Sequence, residues 1–280
     1  MVFTAKDVCK KAITVGATMM MSDARDTMLK HNISRIIVEH NQKPVGMVTE
    51  KGISAYLYRE NNDKSLDEIA ISKAMRSPLV SVTKYTDIRE CAKIMRDNDI
   101  SSLIVANEEE EADERETNIF TKSDLVKLYA ENYKGKFKTN DFMTKQVFTI
   151  YPSNSLHTAM KILMKNRVSR VIVTRGSIVV GIITAKDLMP ITSFVEADKM
   201  QLEKDKEAGS NLASIGHVMI ASDIMKKPIT VEATDDLANA AQIMTDKRIS
   251  GLPVINANGN NLEGVVTKTD IVNALMDSDL

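Results

Sequence analysis

Three segments of the 280-residue sequence place an aspartate three residues after a threonine, where an apolar run gives way to a helical pattern: Thr121/Asp124, Thr184/Asp187 and Thr267/Asp270. A fourth carries Thr49 but has Gly52 in the acidic position. In three of the four a glycine stands three residues ahead of the threonine, at Gly46, Gly181 and Gly264; the other has Asn118. A strand entering a helix at Gly-x-x-Thr-x-x-Asp offers unpaired backbone N–H groups and the positive end of the helix dipole, both favourable for a phosphate. The glycine would let backbone approach an anion closely, and the threonine hydroxyl is a ready donor. The same pattern is also a helix-capping box, in which threonine caps and the acid favours the first turn. The two readings are compatible, because a capping threonine can also line a cleft.

Further polar side chains recur at fixed distances. Short apolar segments carry a hydroxyl at Thr14, Ser81, Thr149 and Thr230, and a serine follows each by 20 residues, at Ser34, Ser101, Ser169 and Ser250. Arg35 and Arg170 come directly after two of these serines, each a forked cation suited to phosphate; Ser102 and Gly251 occupy the corresponding places in the other two. Catalytic chemistry finds little footing. His31, His40, His157 and His217 fall at unrelated positions, and there is no Walker lysine motif, metal-ligand spacing or Ser/His/Asp grouping. We expect no catalytic residues and no metal.

The spacing points to four copies of one unit. Between the two hydroxyls, at offsets +7, +10, +11 and +14, lie Ile88, Cys91, Ala92, Met95 in the second copy, with matching sets in the third and fourth. These are the positions of one apolar helix face. The first copy has a polar intruder, Arg25. Asp87, Ser155 and Asp236 stand where an N-cap or first-turn residue belongs. After each serine a β-branched run, a polar turn and a second apolar run read as strand, turn, strand. Each copy is therefore β-α-β-β-α, too small to bury a comfortable core alone, so neighbours must share sheet faces or helices. The expected domains are repeat one over 1–60, repeat two over 61–133, repeat three over 134–195 and repeat four over 217–280. A charged linker is expected over 196–216, and an acidic loop, Glu108–Glu116, inside repeat two.

Composition sets outer bounds. The 37 basic and 38 acidic residues give a net charge of −1, which argues against a nucleic-acid binder despite local basic runs such as Lys134–Lys138. No apolar run is long enough for a membrane helix, and no secretory leader is recognisable. Two cysteines, Cys9 and Cys91, cannot make a disulfide framework. A cytoplasmic protein with no obligatory cofactor, bound to neither membrane nor nucleic acid, is the expectation.

The unit ending Ile249-Ser250-Gly251-Leu252-Pro253-Val254-Ile255 and Gly264-Val265-Val266-Thr267-Lys268-Thr269-Asp270 resembles a cystathionine-β-synthase (CBS) domain. Repeat three agrees through Val168-Ser169-Arg170-Val171-Ile172-Val173 and Gly181-Ile182-Ile183-Thr184-Ala185-Lys186-Asp187. The resemblance implies an α/β (α+β) fold in which four repeats pair into two Bateman modules forming one disc, as in stand-alone archaeal CBS proteins and the γ subunit of AMP-activated protein kinase. It also implies clefts for adenosine-containing ligands: AMP, ADP, ATP, or S-adenosylmethionine. In such a cleft Asp187 or Asp270 would accept from the vicinal ribose hydroxyls, Arg170 would meet phosphate, and Thr149 or Thr230 would sit near the base.

Repeat three has the full set, Thr149, Ser169, Arg170, Thr184 and Asp187, and is the expected site. Repeat four keeps Thr230, Ser250, Thr267 and Asp270. Repeat two, with Thr121 and Asp124, could supply another site, with Arg35 reaching across from repeat one. Repeat one's own pocket is expected to be empty or altered. The implied function is a non-catalytic sensor that signals energy state to an unidentified regulated protein, as a monomeric disc or a homodimer. The alternatives are a scaffold or interaction protein with vestigial pockets, or an S-adenosylmethionine sensor.

Overall fold

The computed structural model describes residues 3–60, 65–106, 117–187, 219–257 and 261–278. The expected acidic loop and the charged linker lie outside these residues.

Each repeat builds the same small sheet, its first strand parallel to its second and its second antiparallel to its third. In chain order after β1 (Lys10–Lys11), these are β2 (Thr14–Gly16), β3 (Arg35–His40) and β4 (Lys43–Thr49) in repeat one, and β5 (Ser81–Thr83), β6 (Ser102–Ala106) and β7 (Asn118–Thr121) in repeat two. Repeat three has β8 (Thr149–Ile150), β9 (Arg170–Arg175) and β10 (Ile178–Thr184); repeat four has β11 (Val231–Glu232), β12 (Gly251–Ile255) and β13 (Leu262–Thr267). A parallel neighbour requires a crossover connection, and a helix supplies it in every repeat: Met21–His31, Ile88–Asp97, Leu156–Lys165 and Leu237–Asp246. Three of these begin as expected, with side-chain oxygens of Asp87, Ser155 and Asp236 accepting from the N–H of Arg89, Thr158 and Ala238. In repeat one the helix buries Met21, Ala24 and Met28 at the expected positions, together with Ser22, and leaves Arg25 exposed.

Burial shows how the repeats pair. Ala12, Ile37, Ile104 and Ile119 join the sheets of repeats one and two, and Ile172, Val179, Ile255 and Val265 join those of three and four. Repeats one and three each keep a separate core behind their sheets. Repeats two and four share one. Helices Ile88–Asp97, Lys122–Asn132, Leu237–Asp246 and Lys268–Asp277 close on a common interior holding Met95, Leu125, Tyr129, Met244, Ile271 and Leu275. Two sheet-paired modules are thus joined through a helical interface, which supplies the burial that a single unit lacks.

The segment leading into each repeat is laid on the outer strand of its partner. Lys10–Lys11 pairs with Asn118–Ile119 of β7, and single bridges tie Arg76 to Met47, Thr144 to Val265, and Lys226 to Ile182. This exchange corrects the role expected for the glycines. A Cβ on Gly46 would run into the Met75 side chain, one on Gly181 would lie 2.5 Å from the sulfur of Met225, and one on Gly264 2.9 Å from that of Met143. These glycines make room for a methionine of the partner's leading segment; they are not cradles for phosphate. Where the leading segment carries no methionine, ahead of repeat one, the strand it meets has Asn118.

Candidate functional site

The Thr-x-x-Asp segments are capping boxes. The N–H and hydroxyl of Thr121 donate to Asp124 Oδ2 at 2.7 and 2.8 Å, those of Thr184 to Asp187 Oδ2 at 2.9 and 2.5 Å, and those of Thr267 to Asp270 Oδ2 at 2.7 Å each. In repeat one the bond is reversed, and the Gly52 N–H donates to Thr49 Oγ1 at 2.9 Å. Capping therefore takes one carboxylate oxygen in each box.

The leading segment of the partner repeat decides what happens to the other oxygen. Asp124 Oδ1 meets Lys10 Nζ at 2.8 Å, and Asp187 Oδ1 meets Lys226 Nζ at 2.5 Å. The residue bridging at the corresponding place is Arg76 beside repeat one, which has no acid, and Thr144 beside repeat four. Asp270 accordingly has no ion pair among the described residues. The electrostatics differ to match. Burial opposes ionisation of Asp187, but Lys226 and Thr184 outweigh it and hold the carboxyl below its ordinary value. Asp270 is 9% exposed, and its burial wins over Thr267 and Arg170 and raises the carboxyl.

The two arginines cross between paired repeats. Arg35 Nη1 donates to the carbonyl oxygen and hydroxyl of Ser101 at 2.8 and 2.9 Å; Arg170 Nη2 donates to the same two atoms of Ser250 at 2.8 and 2.7 Å. Arg170 Nη1 is buried without a hydrogen-bond partner among the described residues. Desolvation lowers both guanidinium groups, Arg170 to about 10, with Asp270 partly opposing.

Both arginines open onto one cavity of about 810 Å³ whose wall comes from all four repeats. Arg35, Ser169, Arg170, Ser250 and Thr267 line it as candidate residues. Thr184 and Asp187, Thr121 and Asp124, Asp270, and the first-strand Thr149 and Thr230 do not. Seven lining side chains are Lys or Arg and one, Asp99, is an acid. Of these cations the sequence reading singled out only Arg35 and Arg170; Lys51, Arg76, Lys122, Arg167 and Lys268 escaped it. Lys122 and Lys268 each follow a capping threonine and cross reciprocally: Lys122 Nζ donates to Thr269 Oγ1 at 3.1 Å and Lys268 Nζ to Ser123 Oγ at 2.7 Å. Burial lowers both amines. Lys268 is brought to about 8, with Arg35 adding to the effect, and Lys122 is lowered against the opposing charge of Asp99. The Thr-Lys pair shared by repeats two and four was a visible signal, but only their packing gives it meaning. Phe148, 38% exposed, and Val168 add an apolar wall to the cavity, a surface suited to a planar ring.

No cluster of metal-ligating side chains occurs among the described residues, and none of their helices is long and apolar enough to cross a membrane. Four β-α-β-β units, paired by sheet faces and joined by helices around a cationic cavity, define a tandem of two paired-repeat modules. The CBS domain family matches residues 5–59, 68–131, 140–191 and 221–277, and the chain belongs to that family. Protein MJ1225 of Methanocaldococcus jannaschii is 23% identical over 278 residues, covering 94% of this chain and 95% of its own. The crystal structure of MJ1225, described as a candidate archaeal homolog of γ-AMPK, superposes with a TM-score of 0.77 over 98% of this chain and 100% of that one, at 21% identity. An uncharacterised conserved protein from Pyrococcus horikoshii does so with a TM-score of 0.65, over the same shares of the two chains and at 17% identity. At these identities the likeness speaks for the fold alone.

Proposed function

We propose that the chain is a non-catalytic regulatory protein that binds an adenine nucleotide in a cleft between paired repeats, its phosphate directed at the central cations, and reports occupancy to a partner protein. The observation that carries this reading is the convergence of Arg35, Arg170, Lys122 and Lys268 on one cavity beside the apolar wall of Phe148 and Val168. The cations suit a phosphate, the wall suits a base, and the Asp270 carboxylate behind Thr267 is the one not already held by a lysine. The balance therefore favours the cleft of repeat four over that of repeat three, where Lys226 holds Asp187.

Thermal unfolding with AMP, ADP, ATP, S-adenosylmethionine and GTP tests the reading. A ligand at about 100 times its Kd stabilises by roughly 2.7 kcal/mol. At about 2–4 °C per kcal/mol for a chain of this order of size, the melting temperature should rise by several degrees. A rise with adenine but not guanine ligands, reduced by Phe148→Ala and by Arg170→Ala, supports the proposal; no rise with any of them sinks it. A second reading, a scaffold with vestigial pockets, draws on Lys10 and Lys226 holding two of the three acids and on the serine partners of the arginines. It requires that none of the five ligands bind.

A further inference from the structure

The turn that enters the first helix of each repeat follows one plan, from which repeat one departs. In repeats two, three and four a polar side chain in that turn accepts from the N–H three residues before it: Thr86 from Thr83 at 3.1 Å, Asn154 from Tyr151 at 2.7 Å and Asp235 from Glu232 at 2.9 Å. The next residue, Asp87, Ser155 or Asp236, caps the helix. Repeat one has Met19 and Met20 at these two places, and Met20 gives the helix no side-chain cap. The backbone keeps the plan: Met20 bridges to Ala70 of the leading segment, as Asp87 does to Thr4, Ser155 to Ile220 and Asp236 to Lys138. Each methionine is 38% exposed, and of the eight large apolar side chains that stand exposed among the described residues these are the only consecutive pair. One exposed apolar side chain is ordinary. Two in a row, in place of a turn acceptor and a cap, give up local bonds that three sister repeats keep and leave apolar surface in water.

The surrounding charges say what would cover them. The turn Leu66–Glu68 packs on the helix Met21–His31, and the N–H groups of Met21 and Ile71 donate to the carbonyls of Ile69 and Met19. The elements flanking the pair carry Asp23, Asp26, Asp67 and Glu68 against Arg25 and Lys73, and Arg25 is tied to Asp26 at 3.0 Å. The carboxylates of Asp23, Asp67 and Glu68 accept only local hydrogen bonds, from Met20 and Ser65, and have no ion pair among the described residues. Thioethers are flexible and polarizable, so they adapt to apolar side chains of many shapes. An apolar pair rimmed by unpaired acids complements a helix that carries large apolar residues on one face and lysines or arginines beside them. We infer that Met19 and Met20 are the docking point for a basic amphipathic helix of a partner protein, whose apolar face seats on the two thioethers while its cations meet Asp23, Asp67 and Glu68. The inference names the kind of partner that the regulatory reading invokes, and the contact is measured without nucleotide, so either can fail alone.

Nuclear magnetic resonance of the full chain with methyl-labelled methionine tests the inference. The probe is an amphipathic leucine–lysine peptide of about four helical turns; a leucine–glutamate peptide of the same pattern and a serine–lysine peptide are the controls. Expected are saturable shifts of the Met19 and Met20 methyl signals with the leucine–lysine peptide, one peptide per chain, and none with either control. Met19→Asn/Met20→Ser gives repeat one the pair found in repeat three. It should raise the melting temperature, because the turn bond and the cap return, and weaken peptide binding about tenfold, as loss of a central anchor does. Met20→Ser alone should show both effects in smaller measure. Asp67→Asn/Glu68→Gln should weaken binding and flatten its dependence on salt. Unmoved Met19 and Met20 signals at millimolar peptide, or equal affinity in the methionine variants, overturns the proposal. So does a lowered melting temperature in both methionine variants, which would make the pair part of the fold. Equal binding of the leucine–glutamate peptide would remove the basic partner. Shifts of the two signals with protein concentration in the absence of peptide would give the surface to a second copy instead.

Discussion

Gly251 leaves the space that the guanidinium of Arg170 fills: a Cβ on residue 251 would coincide with Nη1 and lie 2.6 Å from Cζ. The two positions are equivalent in repeats three and four, so an arginine on one side of the module requires the smallest residue on the other. Repeats one and two obey the same rule more loosely, with Arg35 reaching Ser101 and a small buried residue, Ser102, beside it. The absence of an arginine in repeat four is thus a packing consequence, and Arg170 serves both repeats.

Gly251→Ala should destabilise the protein by about 1–3 kcal/mol, the usual range for overpacking. Much of that cost should vanish in an Arg170→Ala background, giving a coupling in a double-mutant cycle. Urea unfolding of the four proteins measures it. Equal costs in both backgrounds would mean that the Val266 carbonyl oxygen, 2.7 Å from the same Cβ, sets the limit alone.

Gly181 offers a parallel case without a backbone obstacle, because the atoms nearest its Cβ all belong to Met225. Gly181→Ala should lower the melting temperature, and Met225→Ala should absorb most of that loss. Ligand affinities should stay constant in the single variant once stability is allowed for. Lost affinity with unchanged stability would restore the ligand-approach role to this glycine.

Lys226→Met removes the cation that holds Asp187. A carboxyl lowered in the folded state adds stability above its unfolded value, and that stability is lost as pH falls through the folded one. Without Lys226 the carboxyl should rise, so acid unfolding should begin at higher pH. The difference from wild type should fade once both proteins have Asp187 protonated. At neutral pH the effect should be modest, about 0–1 kcal/mol, because the lysine is 70% exposed. A titration of stability from pH 7 to 2 gives the comparison, and superimposable curves would remove the ion pair from the account.

Lys268 gives the same sign at the alkaline end, although here burial disfavours the charged form. Its amine is lowered to about 8, so between there and its ordinary value of 10.5 the folded protein binds fewer protons than the unfolded chain. Stability from this residue should therefore rise with pH across that window, and Lys268→Met should lack the increment. Phosphate bound beside the amine should restore its charge. Titrations at pH 8 in buffers of different ionisation enthalpy should then show proton uptake by wild type and less by Lys268→Met. No uptake would separate the lysine from the anion.

The fourfold repeat, the helices and their caps could be read from the chain because local geometry writes them into neighbouring residues. The apolar face Ile88, Cys91, Ala92, Met95 follows the period of a helix, and Asp87, Ser155 and Asp236 cap the turn that begins one residue later. The capping boxes were legible for the same reason. Arg35 crossing to repeat two was also expected, and it does, though to Ser101. What stayed hidden are contacts between residues that the repeats themselves bring together. Arg170 and Ser250 are 80 positions apart, Lys10 and Asp124 are 114, and Lys122 and Thr269 are 147. No local period encodes which lysine will hold which acid, or that a glycine will face a methionine. Those choices follow from laying each leading segment on its partner's sheet and closing two helix pairs on one core. Only that packing turned scattered cations into a single charged cavity.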